Sequence, residues 1–437
     1  MPIAAVPRYI DRRCFRSASP GLRFGMYLEL WGVNSRTKSR LWTTYDKNYR
    51  TSGKNRTERP FNDENKTSSL TSANRLSSID SDICDSLRTR QRMAFDGLAT
   101  AGKLSLMASS VAPFSTGLGN EHPLENGFAF LSPYGLPYLP GSGVKGVVRR
   151  AAEELAEGKW GDTGGWNTAD DYTIVNGVER SQDSAPRLSM IDVLFGPQTD
   201  SEHHLRGVLD FWDVIPSING NRLNVEIMTP HQSHYYQAKR HMGSNTPHDS
   251  GLPNPISFLT VPPESEFDFH VRCDLVRLDR LAPELAENGH WKRLLRSAFE
   301  HAFEWLGFGA KTAVGYGAMR RDTEREARAR RDAEARAQKA RETKERAERL
   351  ANMDPVDREI EQFLAERQDK GMPETTAILQ ALKSDRWTGS ERLEVARRLK
   401  ARMQDAGVWK ETSQARKPER DKSHQNTLAV MSMLQGE

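Results

Sequence analysis

The chain has 437 residues, a formal net charge of +4 and a pI near 8.8. That length allows two or three domains, and so mild a basic excess leaves any nucleic-acid contact to local patches. No apolar run of about eighteen residues or signal-type h-region occurs, so neither a membrane span nor a signal peptide is expected. Cys14, Cys84 and Cys273 lie far apart and form no CxxC, which argues against a zinc ribbon or disulfide framework and fits a reducing cytoplasm.

Residues 1–100 read as an N-terminal extension. Met26–Val33 suggests a short strand, Lys47–Arg75 is polar and reads as flexible, and Ser78–Leu98 suggests a helix. The use of this basic arm stays open between nucleic acid, a protein neighbour and plain solvent. Residues 101–320 carry the mixed pattern of a folded domain. Lys103–Val111 alternates as a first strand, and Phe128–Leu139 returns as a hairpin or extended segment. Leu136–Arg150 is a proline–glycine turn leading into a helix over Val144–Glu157, with Ser142 as its N-cap.

Gly158–Arg187 reads as an insertion whose Asp162, Asp170 and Asp171 are turn residues rather than ligands. A short helix at Ser189–Phe195 precedes strands at Gly207–Ile215, Arg222–Met228, Phe258–Val261 and Phe267–Leu275. In the last, Phe267, Phe269, Val271 and Cys273 share a face opposite Asp268, His270, Arg272 and Asp274, the pattern of a half-buried strand. His290–Leu306 reads as a helix and Val314–Arg320 as a closing strand. The order strand, helix, strand, strand, helix, strand is that of an α+β, ferredoxin-like (RRM-related) domain with insertions.

Residues 321–353 follow as a solvated charged helix with opposite charges three and four apart. Asp354-Pro355 opens a small helical bundle over 354–410, and 411–437 reads as a polar tail.

Two stretches point to chemistry. Gly141-Ser-Gly-Val-Lys145 places glycines, a hydroxyl and a lysine at a helix start, where N–H groups and the helix dipole suit an anion such as phosphate. Gly307–Gly317, G-F-G-A-K-T-A-V-G-Y-G, repeats the combination around Lys311. Gly309-Ala-Lys-Thr is not a Walker A loop, because Ala310 stands where the glycine before the lysine is required. His231, His234, His241 and His248 fall near Tyr235, Tyr236, Lys239 and Arg240. That spacing matches no zinc pattern and better suits a protruding loop that stacks on splayed bases.

Leu139–Arg149 and Gly309–Gly317 resemble the signature and the glycine-rich loop of the RAMP superfamily of CRISPR systems. Gly117–Phe130, Ile227–His231 and Phe258–Pro262 are similar to the sixth-subunit family of the type III-B (Cmr) effector complex. At Gly143 that family more often carries a serine, so backbone contacts are expected there.

The resemblance implies a RAMP fold and a non-catalytic, cytoplasmic RNA-binding subunit without cofactor or metal. It would cap the backbone at the 3′ (head) end of the guide RNA, meet target RNA indirectly, and pack on neighbouring Cmr backbone and head subunits. The RNA-binding set is then Ser142, Gly143, Lys145, Arg149, His231, His234, Tyr235, Gly309, Lys311, Thr312, Gly315 and Tyr316. The competing readings are a RAMP endoribonuclease using His231, His234 or Asp213 as acid–base groups, and a purely structural interaction protein.

Overall fold

Four strands expected from alternation meet in one sheet. In chain order the main elements of this part are α1 (Ser78–Asp96), β1 (Lys103–Ser110), α2 (Gly141–Ala156), α3 (Met190–Phe195), β2 (Leu209–Phe211), β3 (Asn224–Met228), β4 (Ile256–Thr260), β5 (Glu266–Cys273), α4 (His290–His301) and β6 (Met319–Arg321). The computed structural model describes residues 15, 17–28, 31–33, 40–42, 69–173, 187–198, 205–229, 256–413 and 417–435. The sheet runs β6-β1-β5-β2 and is antiparallel throughout. Its register pairs Lys103 with Arg272, Ser109 with Glu266, Leu209 with Cys273 and Met319 with Ser110. Because β1 and β2 both oppose β5, they are parallel to each other, and β2, paired only with Val271–Cys273, lies level with the start of β1. β3 and β4 pair separately, from Met228↔Ile256 to Asn224↔Thr260.

One sheet face is the core. Phe267, Phe269, Val271 and Cys273 are buried with Leu104, Leu106 and Ala108 of β1 against Val144, Val148 and Ala151 of α2 and Leu294, Ala298 and Phe299 of α4. Phe269 stands 5.4 Å from Phe299 and 5.1 Å from Phe308 between ring centroids, edge-on or tilted as aromatic quadrupoles prefer. The last strand is shorter than the sequence predicts. Thr312–Val314 is a turn of 3₁₀-helix and pairing begins only at Met319, because glycines at positive φ curl the intervening chain.

The chain divides into two units, Met1–Arg330 and Arg331–Glu437. The charged stretch forms α5 (Thr323–Ala351), none of whose residues is buried. Beyond it α6 (Pro355–Glu366), α7 (Glu374–Lys383) and α8 (Gly389–Asp405) share a core that includes Ile360, Ile378, Trp387 and Leu399. Asp354 caps α6 by accepting from Val356 N, as its place before Pro355 predicts. The stretch expected to be a polar tail instead holds α9 (Lys422–Gln435). Val430 joins that core and Thr427 Oγ1 accepts from Lys410 N at 2.9 Å.

The second sheet face is covered as well. Alternation made β5 half-buried, with its polar side free, but α1 lies across that side. Arg88 reaches Asp268 at 3.0 Å and Arg325, in the first turns of α5, reaches it at 2.7 Å. The two guanidiniums hold the Asp268 carboxyl below its ordinary value, against the opposing effect of its own burial. Beside it His270 stacks on Phe95 at 4.4 Å and meets the Ser105 hydroxyl at 3.2 Å. Burial pushes the His270 imidazole down to about 4, so it is neutral when folded. The unfolded chain then binds a proton in the window from about 6.5 down to about 4 that the folded chain refuses, and stability falls as pH drops through it. Over that interval the loss should be on the order of 3 kcal/mol. Amide exchange of β5, compared at neutral pH and near pH 4, reads it directly. His270→Phe should flatten the slope, and an unchanged slope in that variant would assign the loss to other groups.

Candidate nucleic-acid interface

The first glycine turn is built by close approach. α2 begins at Gly141 with Pro140 at the N-cap, and no side chain of the turn caps it. Ser142 therefore sits inside the first turn and is not the cap the sequence suggested. The partner comes from far along the chain: Gly141 N–H donates to Asp213 Oδ1 at 2.7 Å. A Cβ at Gly141 would lie 2.2 Å from Phe211 O, so only glycine lets the helix start this near β2. One first-turn N–H is thus committed to a carboxylate. Lys145, half-buried on α2, faces Arg206 and Asp210. Burial, with Arg149 and Arg206 beside it and Asp210 opposing, lowers its pKa. Arg149 is spent within the fold, donating to Glu153 at 2.8 Å, to Asp192 at 3.3 Å and to the Gly196 carbonyl.

The second turn packs on the segment just beyond β1. Ala310 N donates to Ser115 O at 2.7 Å and Gly317 N to Pro113 O at 2.8 Å, while Phe308 N donates to Gly317 O at 2.9 Å. A Cβ at Gly309 would lie 2.2 Å from Ser115 O, and its φ is +89. Lys311 itself adopts the left-handed region at φ +61, where side chains other than glycine, asparagine and aspartate are uncommon. Its ammonium lies 5.1 Å above the Phe258 ring of β4 and 3.2 Å from Met228 Sδ of β3. Tyr316 also packs against Phe258, at 5.7 Å between ring centroids.

Each turn sits beyond the carboxyl end of one of the parallel strands, but at different heights: Phe211, against which Gly141 packs, is level with Leu104 near the start of β1, whereas the second turn packs beyond Ser110 at its end. The strands are two ladder spacings apart, about 10 Å, and the offset from Leu104 to Ser110 along them adds about 20 Å. Ser142 and Gly143 are exposed on the first turn; Thr312, Gly315 and Tyr316 surround Lys311 on the second. His231, His234 and Tyr235 lie outside the described residues, in the stretch that joins β3 to β4. Sequence reasoning missed Met228 and Phe258 as seats for Lys311, and Arg206 and Asp210 as neighbours of Lys145. Each comes from a strand or loop distant in sequence, and no local signal marks it.

Other candidates have structural uses. Asp162 Oδ1 accepts from Gly164 N at 2.9 Å, the turn role expected of it. His122 stacks on Phe24 at 3.8 Å and is held by the Phe24 carbonyl and Leu124 N–H. His301 is buried against Glu154 at 3.0 Å. Cys84 and Cys273 are buried thiols pushed up to about 11 and about 12 by desolvation. Among the described residues, no cluster of three or more His, Cys, Asp or Glu groups could hold a metal ion. No helix among them is long and apolar enough to cross a membrane.

A family profile described as RAMPs, the RAMP superfamily, matches residues 102–320. The CRISPR system Cmr subunit Cmr6 of Pyrococcus furiosus is 30% identical over 229 residues, covering 46% of this chain and 63% of that protein. The match thus spans less than two thirds of that relative. Among solved structures, the crystal structure of Cmr6 from Pyrococcus furiosus is 25% identical with a TM-score of 0.27, covering 52% of this chain and 100% of that one. A chain of the type III-B Cmr-beta cryo-EM structure bound to cognate target RNA is 18% identical with a TM-score of 0.35, covering 59% and 70% respectively.

Asp213→Ala removes the carboxylate from Gly141 N–H and should cost about 1 kcal/mol, the usual worth of a helix N-cap. Thermal or urea unfolding of the full chain measures it. No loss of stability would show that the contact contributes nothing.

Proposed function

This chain belongs to the RAMP superfamily, and from that premise we propose that it is a non-catalytic RNA-binding subunit of a type III-B CRISPR effector complex. The observation that carries the reading is the pair of lysine-bearing glycine turns, one beyond each of the parallel strands β1 and β2. Each brings backbone and one cation to the surface, the combination that lets a protein grip sugar-phosphate without reading bases. The four-stranded order β6-β1-β5-β2, with α2 and α4 as crossovers, fits the ferredoxin-like arrangement. The covered second face fits contact at the loops rather than base stacking on the sheet. In this reading the chain caps the backbone at the guide RNA 3′ end and meets target RNA only indirectly. It is cytoplasmic, and it packs on neighbouring Cmr backbone and head subunits. Arg149 serves by bracing α2 against α3, and His231, His234 and Tyr235 belong to the RNA-binding set. The helices after Asp354 form a small bundle that docks a partner.

The rival is a RAMP endoribonuclease. Two observations weigh against it: Asp213, one of its acid–base candidates, is engaged with Gly141 N–H, and His122, His270 and His301 are engaged in structural contacts.

Lys145→Ala combined with Lys311→Asn, which suits the left-handed backbone, should weaken guide RNA binding about equally for all sequences. It should also lower the salt slope by roughly one to two. Losses that vary with guide sequence would reject backbone gripping. Site-specific cleavage of guide precursor or target by the purified chain, abolished by His231→Ala or His234→Ala, would establish the rival.

A further inference from the structure

The end of the sheet away from Lys311 carries a second basic feature. There, where β1 begins and β5 ends, a cavity of about 870 Å³ opens between Ala101, the short helix Leu275–Leu281 and the first turns of α4. Arg280, Lys292, Arg293 and Arg296 line it, against the one carboxylate of Asp279. Among the described residues, none of the four cations is paired with a carboxylate. The contacts they make run instead to backbone: Lys292 Nζ donates to Thr100 O at 2.6 Å and Arg293 to Asn288 O at 3.0 Å. Burial, with Arg296 and Lys103 nearby, holds the Lys292 ammonium below its ordinary pKa. α4 opens at Gly289, at φ +65, without a side-chain cap, so its first N–H groups add to the same positive field.

Like charges crowded into a concavity repel one another, and Asp279 is the one acid that lines it against four cations. Guanidinium forks match phosphate oxygens two at a time. No exposed aromatic ring lines the cavity to stack a base, so the recognition it supports is of backbone. We propose that this cavity is a second phosphate-backbone site for single-stranded RNA, distinct from the glycine turns. It rests on the reading that the chain binds RNA. Spanning β1 and β5, the cavity lies about 27 Å from the second glycine turn at 3.4 Å per residue, and nearer to the first, whose Lys145 faces Asp210 beside Cys273. A strand long enough to reach both would gain from the tether between them.

The test uses the full chain with Arg280→Gln and Arg293→Gln together, both exposed and outside the packed core. Circular dichroism melts establish that the variant folds as the wild type does, and Arg280→Gln alone serves if the pair does not. Binding of a long single-stranded RNA is followed by fluorescence anisotropy across a salt series, beside the Lys145/Lys311 variant. The expected result is about tenfold weaker binding at low salt and a slope lower by roughly one to one and a half, at about 0.7 per phosphate. The loss should add to that of the glycine-turn variant. Wild-type affinity and slope in the cavity variant, with the glycine-turn variant weakened, would overturn this site and leave the first reading standing. If the wild-type chain binds no RNA, both fall. A polyglutamate peptide that binds the wild type and not the cavity variant, with RNA binding unchanged, would make the surface a seat for an acidic protein segment and overturn the RNA assignment.

Discussion

The sandwiching of β5 is the constraint from which the rest follows. Its apolar side closes on α4 through Phe269 and Phe299; its polar side closes on α1 through Asp268 and Arg88. A carboxylate so enclosed is tolerable because two guanidiniums reach it; without them its charge would be buried without a partner. With both faces occupied, the sheet has no broad surface left to offer. What remains accessible is its two ends, where turns and helix termini gather, and the cationic groups of interest lie there.

The division of labour among arginines and lysines follows the same physics. Arg88, Arg149, Arg321 and Arg325 are largely buried and paired with acids. They act as struts, the use to which a rigid fork with many donors is suited. Lys145 and Lys311 are point charges on flexible stems, with neighbours that steer rather than neutralise them. Net charge alone, at +4, would not have separated these classes; partner and burial do.

Much of the sheet was legible because period-two alternation is a local signal. Lys103–Ser110 and Glu266–Cys273 appear close to their expected limits, and the glycine–lysine stretches were recognisable as turns. What escaped notice was nonlocal. The cap on α2 comes from Asp213, 72 positions away, so Ser142 looked like the obvious choice. The cover on the polar face comes from Arg88, 180 positions from Asp268, and nothing in the β5 pattern announces it. The helix at Lys422–Gln435 went unseen because it buries only Thr427 and Val430, too few apolar positions to set a period.

The left-handed backbone at Lys311 has one more implication. An L-residue in that region gives up about 1–2 kcal/mol against a right-handed one, and glycines able to adopt it freely stand on either side, at Gly309 and Gly315. The turn thus carries an avoidable expense at the single position where it also displays an ammonium group. Robustness and charge display are in tension at that residue, and the chain has settled on the side of display.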